Sequence, residues 1–359
     1  MDFDLSADQR QLQAAARRLL DDRSGPARVR AHLTTGLPYD AELWSAMVDQ
    51  GWCSVAVPEA EGGLGLGWVE AAVLLEEVGR HCSPVPFGPQ LLAIAALVGR
   101  PHHRGLLDRL VAGTALGVVA WSPDAGALAR NGDGDRPALS GRLGPVEGAG
   151  VADVAVVVVP DGVYLVDLAD TGRPPAEPAM DLTRTLSWLT LDDAPSTRLG
   201  GTDEAARLGA LGALATSAEL LGGSDRVLEL AVQYAKDRVQ FGVPIGSFQA
   251  VKHRCADMLV DVEGMRSSTW FAAWALATME PGWDLAAATA KVWCAEASKR
   301  VMASGLQVHG GIGFTWEHDL HLFIKRAQFA QLAYGDAAHH RDALATGLRA
   351  AVLAGDGVM

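Results

Sequence analysis

Hydrophobic periodicity switches twice along this chain, and the order of the switches restricts the fold more than any single motif does. Residues 1–113 repeat at helical spacing: Leu5, Leu12, Ala16, Leu19 and Leu20 recur with the helical period, with Ser6 at the N-cap and Asp8 in the first turn. Residues 41–49 and 68–79 continue the pattern, the latter aligning Val69, Val73, Leu74 and Val78. After residue 113 the period shortens. Runs at 116–121, 138–143, 151–159, 163–168 and 185–191 are β-branched or alternating, and turn clusters at 131–137 and 170–178 separate them. Strands at this spacing with no helix between them predict a small antiparallel barrel or sandwich. From about residue 202 the helical period returns in four long stretches, 204–238, 247–279, 283–309 and roughly 319–353, which predicts an up-down bundle. The expectation is an α+β multidomain chain: an all-α domain over 1–113, a β domain over 114–200 and a four-helix bundle over 201–359.

Composition closes off other classes. With 359 residues, 49% of them hydrophobic, the chain can bury the cores of two or three domains. A net charge of −13 argues against nucleic acid, whose binders carry basic faces. Cys53, Cys82, Cys255 and Cys294 show no CxxC pairing, and His318 and His321 lack a third ligand, so no disulfide framework or metal is expected. The N-terminus is acidic and polar, without a signal peptide, and no apolar run reaches about 18 residues, so a cytoplasmic protein with no membrane span is expected. The glycine-rich VPEAEGGLGLG (57–67) lacks the preceding strand and the Gly-Lys-Ser/Thr ending of a phosphate loop, and reads as a connection between helices.

The stretch YAKDRVQFGVPIGSFQAVKHRCADM (234–258) holds the densest chemistry. A helix ends near Arg238, Gly242-Val243-Pro244 turns the chain, and Ser247 is placed to cap the next helix. Taken alone, Arg238 is a cation satisfying the last carbonyls of a helix. A second stretch, QVHGGIGFTWEHDL (307–320), ends a helix at His309-Gly310-Gly311, where glycines would let a diphosphate approach bare backbone N–H groups. The first follows the pattern YAxxRxQFGxPIxxFQxxxxxxADM and the second QxxGGxGF. Together with LSADQRQLQAAARRLL (5–20) and GWCSVAVPEAEGGLGLGWVEAAVLLEEVGR (51–80), they closely resemble the acyl-CoA dehydrogenase family of flavoproteins over nearly the whole chain.

That resemblance implies an FAD-dependent enzyme that α,β-desaturates an acyl-CoA thioester and passes electrons to an electron-transfer acceptor. It implies that Arg238, Gln240, Phe248, Gln249, Gln307, Gly310 and Gly311 hold the ADP moiety of a neighbouring subunit's FAD. Arg offers a planar charged fork there, and Gln paired donors and acceptors. The chain departs from the family in its β domain. WSPDAGALA (121–129) stands for a TEPxxGSD-like stretch and GPVEGAG (144–150) for a WITNG-like one, so the groups that line the isoalloxazine are missing. It departs again at the base, a carboxylate that must take the α-proton with its pKa raised by burial. The family's usual base loop reads AYGDAAHHR (333–341), which sets Gly335 or Tyr334 at the base. The other family position, 26 residues before Arg238, is Gly212. Asp336 is the acid nearby, and it equally suits the N-cap of the last helix. Three readings follow. The chain is a subunit lending the ADP half-site to a homologous chain that supplies the Glu, in a heterotetramer like bacterial members acting on steroid side chains. Alternatively it is a self-sufficient homomeric dehydrogenase or oxidase using Asp336, or a flavin-free acyl-CoA-binding or scaffold protein. Small side chains on the first bundle helix and the Gly-rich turn point to room for a bulky acyl group.

Overall fold

The computed structural model describes residues 4–132 and 134–354; the outer ends of the first and last predicted segments, and Asp133 in the 131–137 turn, lie outside the described residues. In chain order the helices are α1 (Ala7–Arg23), α2 (Pro26–Leu33), α3 (Ala41–Asp49), α4 (Trp68–His81), α5 (Phe87–Leu97), α6 (Arg104–Val111), the one-turn α7 (Leu168–Thr171), α8 (Thr202–Asp237), α9 (Gln249–Thr278), α10 (Trp283–His309), α11 (Leu320–Ala330) and α12 (Ala337–Ala354). The strands are β1 (Gly117–Trp121), β2 (Leu128–Asn131), β3 (Ala138–Glu147), β4 (Val154–Val159), β5 (Gly162–Asp167), β6 (Leu186–Gly200), and the two-residue β7 (Val239–Gln240) and β8 (Val243–Pro244). Helices, a sheet, then helices follow one another as the periodicity predicts. By contacts the chain forms two compact units, one of Met1–Ala27, Ala72–Ser83 and Ala213–Met359, the other of Arg28–Ala71 and Pro84–Gly212. The helices α4 and α8 contribute residues to both.

In the second unit the sheet order is β1-β4-β5-β6-β3-β2, antiparallel except for the parallel pair β1 and β4. The first part of β6 pairs with β3 and its last residues with β5, so one long strand carries the sheet over a core that includes Leu139, Ala155, Val157, Leu189 and Leu191. Every residue of β4 is buried, which is why it reads as an unbroken valine run rather than an alternation. The helix α5 is buried on all faces and lies so close to β1 that a Cβ on Gly117 would stand 2.6 Å from that of Ala93. Its Gln90 answers the polar groups this burial strands, donating to the Leu110 and Ala115 carbonyls and accepting from the Gly117 N–H.

In the first unit α1 opens on a reciprocal cap, Gln9 N–H to Ser6 Oγ and Ser6 N–H to Gln9 Oε1. The helices α4 and α8 cross at backbone contact. A Cβ on Gly222 would lie 1.8 Å from the Glu76 carbonyl oxygen, and one on Gly79 2.2 Å from that of Glu219. Beside the crossing, Arg80 binds Asp225 at 2.8 Å and also Glu229, while Arg266 binds Glu76 at 3.1 Å and Asp225 at 3.0 Å. Burial pushes the Glu76 carboxyl up to about 7 against the opposing pull of Arg266. The last predicted helix, 319–353, is in fact two, α11 and α12. Tyr334 and Gly335 take φ of 56° and 93°, which ends a right-handed helix.

Candidate functional site

The segment after α8 is a tight ribbon. The Arg238 N–H closes the helix on the Tyr234 carbonyl at 2.8 Å, and the Arg238 carbonyl then accepts from the Ile245 N–H across the ribbon. Phe241 and Gly242 join β7 to β8 with φ of 53° and 80°, as a two-residue hairpin turn requires. Ser247 does not cap α9, because its hydroxyl donates to the Pro244 carbonyl and Phe248 occupies the cap position. Phe241 is 92% exposed and meets Phe248 edge to face, with ring centroids 6.1 Å apart. At the end of α10, Gly310 turns the chain with φ of 60°, and its N–H is taken by the Leu306 carbonyl. The expectation of bare amides therefore fails at Gly310.

One ring contact seats these segments side by side, and a second orders the 307–320 segment itself. Tyr234, in the last turn of α8, stacks on buried His309 at 4.8 Å, and His309 meets His318 at 4.5 Å. The surface so formed carries Arg238, Gln240, Phe248 and Gln249 from one segment and Gln307, Gly310 and Gly311 from the other. Arg238, Gln249 and Gln307 are exposed and make no side-chain hydrogen bond among the described residues, while Gln240 donates to the Val239 carbonyl. A Cβ on Gly310 or Gly311 would meet nothing within 4 Å, so the ground above both glycines is open. A guanidinium and carboxamides around an open glycine turn fit a diphosphate and its nucleoside, with side chains rather than backbone supplying the donors.

The positions where a base would stand contrast with this. Gly212 and Gly335 are buried and Tyr334 is half-buried. Asp336 is exposed, and its Oδ1 accepts from the His339 N–H at 2.9 Å as the cap of α12, a bond that holds its carboxyl below the usual range. A general base needs the opposite shift. The buried groups at this joint include two bases, Lys291 and His340, whose neutral forms burial favours. Lys291 is fully buried with Nζ donating to the Ala330 carbonyl, and desolvation pushes its amine down to about 7. His340 is likewise lowered, to about 4, by burial. Sequence reading missed Lys291; the signal was an isolated lysine inside the apolar run ATAKVWCA.

The other departures are also structural. Asp124 caps its own turn through the Gly126 N–H, and Trp121 of β1 faces Gly209, where a Cβ would lie 3.1 Å from the indole nitrogen. Glu147 is spent on a buried ion pair with Arg184 at 2.6 Å. The glycine-rich loop is zipped to the preceding turn by Leu64 N–H to Ser54, Gly65 N–H to Val57 and Leu66 N–H to Val55, so those amides are not offered to a phosphate. His318 and His321 go to ring contacts, and no group of three or more metal-ligating side chains gathers among the described residues. No helix among them is long and apolar enough to cross a membrane.

The α–β–α order defines the fold class, and known proteins supply the family. Residues 6–100 match the acyl-CoA dehydrogenase N-terminal domain and residues 200–348 the acyl-CoA dehydrogenase C-terminal domain. Acyl-CoA dehydrogenase IpdE2 of Mycolicibacterium smegmatis is 36% identical over 326 residues, 90% of this chain and 93% of that protein. Acyl-CoA dehydrogenase FadE27 of Mycobacterium tuberculosis is 35% identical over 320 residues, 83% and 86% of the two chains. In the crystal structure of the ChsE4-ChsE5 complex from Mycobacterium tuberculosis, one chain matches with a TM-score of 0.91 at 32% identity, over 97% of this chain and 99% of that one. A steroid ACAD structure, Tcur3481-Tcur3483, matches with a TM-score of 0.89 at 30% identity, over 96% and 99%. The chain belongs to the acyl-CoA dehydrogenase family of FAD-dependent oxidoreductases.

Proposed function

We propose that this chain is the non-base subunit of a heteromeric acyl-CoA dehydrogenase, lending the ADP half of an FAD site to a homologous chain that supplies the catalytic carboxylate. One observation carries the reading: Arg238, Gln249 and Gln307 are exposed and unspent, whereas the base positions hold Gly212 and Gly335 or Tyr334 and the nearby Asp336 caps a helix. Arg238 would take the diphosphate, with Gln240, Gln249 and Gln307 orienting the nucleoside and Phe248 packing beside it. The exposed Phe241, with Phe314 at 75% and Trp316 at 62% exposure, gives the partner an apolar surface to cover. When bound, FAD supplies the hydride acceptor. The likeness to one chain of the ChsE4-ChsE5 complex supports a heteromer, and the steroid ACAD likeness supports a bulky, steroid-type acyl-CoA substrate. Gly222 and Gly209 of α8 lend that substrate no support, since Gly222 admits helix α4 and Gly209 faces Trp121.

The test is to express the chain alone and together with a homologous dehydrogenase chain encoded beside it. Flavin absorbance and dye-linked oxidation of steroid and fatty acyl-CoA thioesters are then read on both preparations. FAD and turnover should appear in the pair and not in the lone chain. Tight FAD with turnover by the lone chain would instead favour a self-sufficient enzyme, and absence of FAD from both would favour a flavin-free scaffold.

A further inference from the structure

We propose that the joint between α11 and α12 is a sealed lock: Lys291 and His340 grip its backbone, and position 335 is barred to any side chain. On the non-base reading, it follows that a carboxylate is kept out of position 335 by the packing and is not restored there by one substitution.

The grip has two ends. Lys291, fully buried on α10, donates to the carbonyl of Ala330, the last residue of α11, where a cation also favours the helix dipole. Four residues later the His340 Nε2 donates to the Tyr334 carbonyl at 2.8 Å from the first turn of α12. Between these anchors Tyr334 and Gly335 both run left-handed, and the non-glycine residue pays roughly 1–2 kcal/mol for it. Such strain persists only where the surroundings over-determine it, which the two anchors do. A Cβ on Gly335 would stand 2.5 Å from His339 Cδ2 and 2.9 Å from His340 Nε2. A side chain there must push the exposed His339 ring aside and crowds the His340 imidazole that holds Tyr334. The following Asp336 is spent on the α12 cap, its Oδ1 accepting from the His339 N–H.

Thermal melts of the full chain, alone and with its partner, test the lock. Gly335→Ala should lower the midpoint by roughly 3 °C or more, and Gly335→Glu further. Gly335→Asn separates the causes, because Asn accepts left-handed φ but brings the same Cβ; it should also melt low. The double variant Gly335→Ala with His339→Ala should recover part of the loss, and His340→Gln, which can still donate to Tyr334, should melt above His340→Ala. Wild-type midpoints for the position-335 variants, or no coupling to His339, would overturn the lock. So would acyl-CoA turnover gained by the lone Gly335→Glu chain. Turnover by the lone wild-type chain would sink the non-base reading instead, leaving the lock to be judged on the melts.

Discussion

The surface around Arg238 and the joint around Gly335 are both built from helix ends and glycines, yet their polar groups meet opposite fates. At the first, Arg238, Gln249 and Gln307 face solvent with their hydrogen-bonding capacity unspent, and open ground lies above Gly310 and Gly311. At the second, the Lys291 amine, the His340 imidazole, the Tyr334 carbonyl and the Asp336 carboxylate are all used inside the fold. A polar group that holds a turn together is not available to a ligand, because releasing it leaves a buried donor or acceptor unsatisfied at a cost of about 1–3 kcal/mol. A glycine with nothing near it leaves room for a ligand, whereas one in contact with an imidazole or a carbonyl belongs to the scaffold.

The contrast is broken most severely from the crowded side. Gly222→Ala should cost at least about 3 kcal/mol, because its Cβ would overlap the Glu76 carbonyl and the α4–α8 crossing must open; a denaturant midpoint equal to wild type would contradict that crossing. Next is Glu76→Gln. The folded-state pKa of Glu76, about 7, is raised above its ordinary 4.5, so the native state holds the proton more tightly than the unfolded chain does. Its contribution is fully present below about pH 4.5 and is lost as pH rises through 7; the Gln variant should flatten this slope, worth about 3 kcal/mol, in melts between pH 4.5 and 8. A slope unchanged by the substitution would place the titration elsewhere.

From the open side the effects fall on ligand rather than fold. Arg238→Ala should leave stability within about 0.5 kcal/mol but weaken FAD retention in the complex by roughly 10–100-fold, as loss of a charge-assisted contact does. Unchanged flavin content after gel filtration would remove Arg238 from the site. The smallest effect belongs to Asp336→Asn. Asn keeps the cap, so both the melt and the turnover of the complex should stay within roughly twofold of wild type. A loss of several orders of magnitude in kcat would make Asp336 the base after all.

Much of this was legible in the chain itself. The starts of α1, α3, α4 and α10 follow from caps and apolar spacing, and β4 from an unbroken valine run, because these signals report burial in a local frame. The ribbon at 239–244 carried its own turn chemistry. The split between α11 and α12 escaped the periodicity, since the two helices keep a compatible apolar pattern across the break and Tyr334 is an unusual residue to find left-handed. The role of Lys291 escaped as well, because its partner carbonyl lies 39 residues away.

The sequence by itself determined the order of helix, sheet and helix and the family, and it singled out the polar residues proposed to face a nucleotide. What only the tertiary structure decided is the meaning of the small residues. The glycines of α8 looked like space for a bulky acyl group, yet Gly222 admits the backbone of α4 and Gly209 the indole of Trp121. A missing side chain records only that something else stands there, and whether that is solvent, a ligand or another helix depends on residues far off in the chain, 146 positions away for Gly222 and 88 for Gly209.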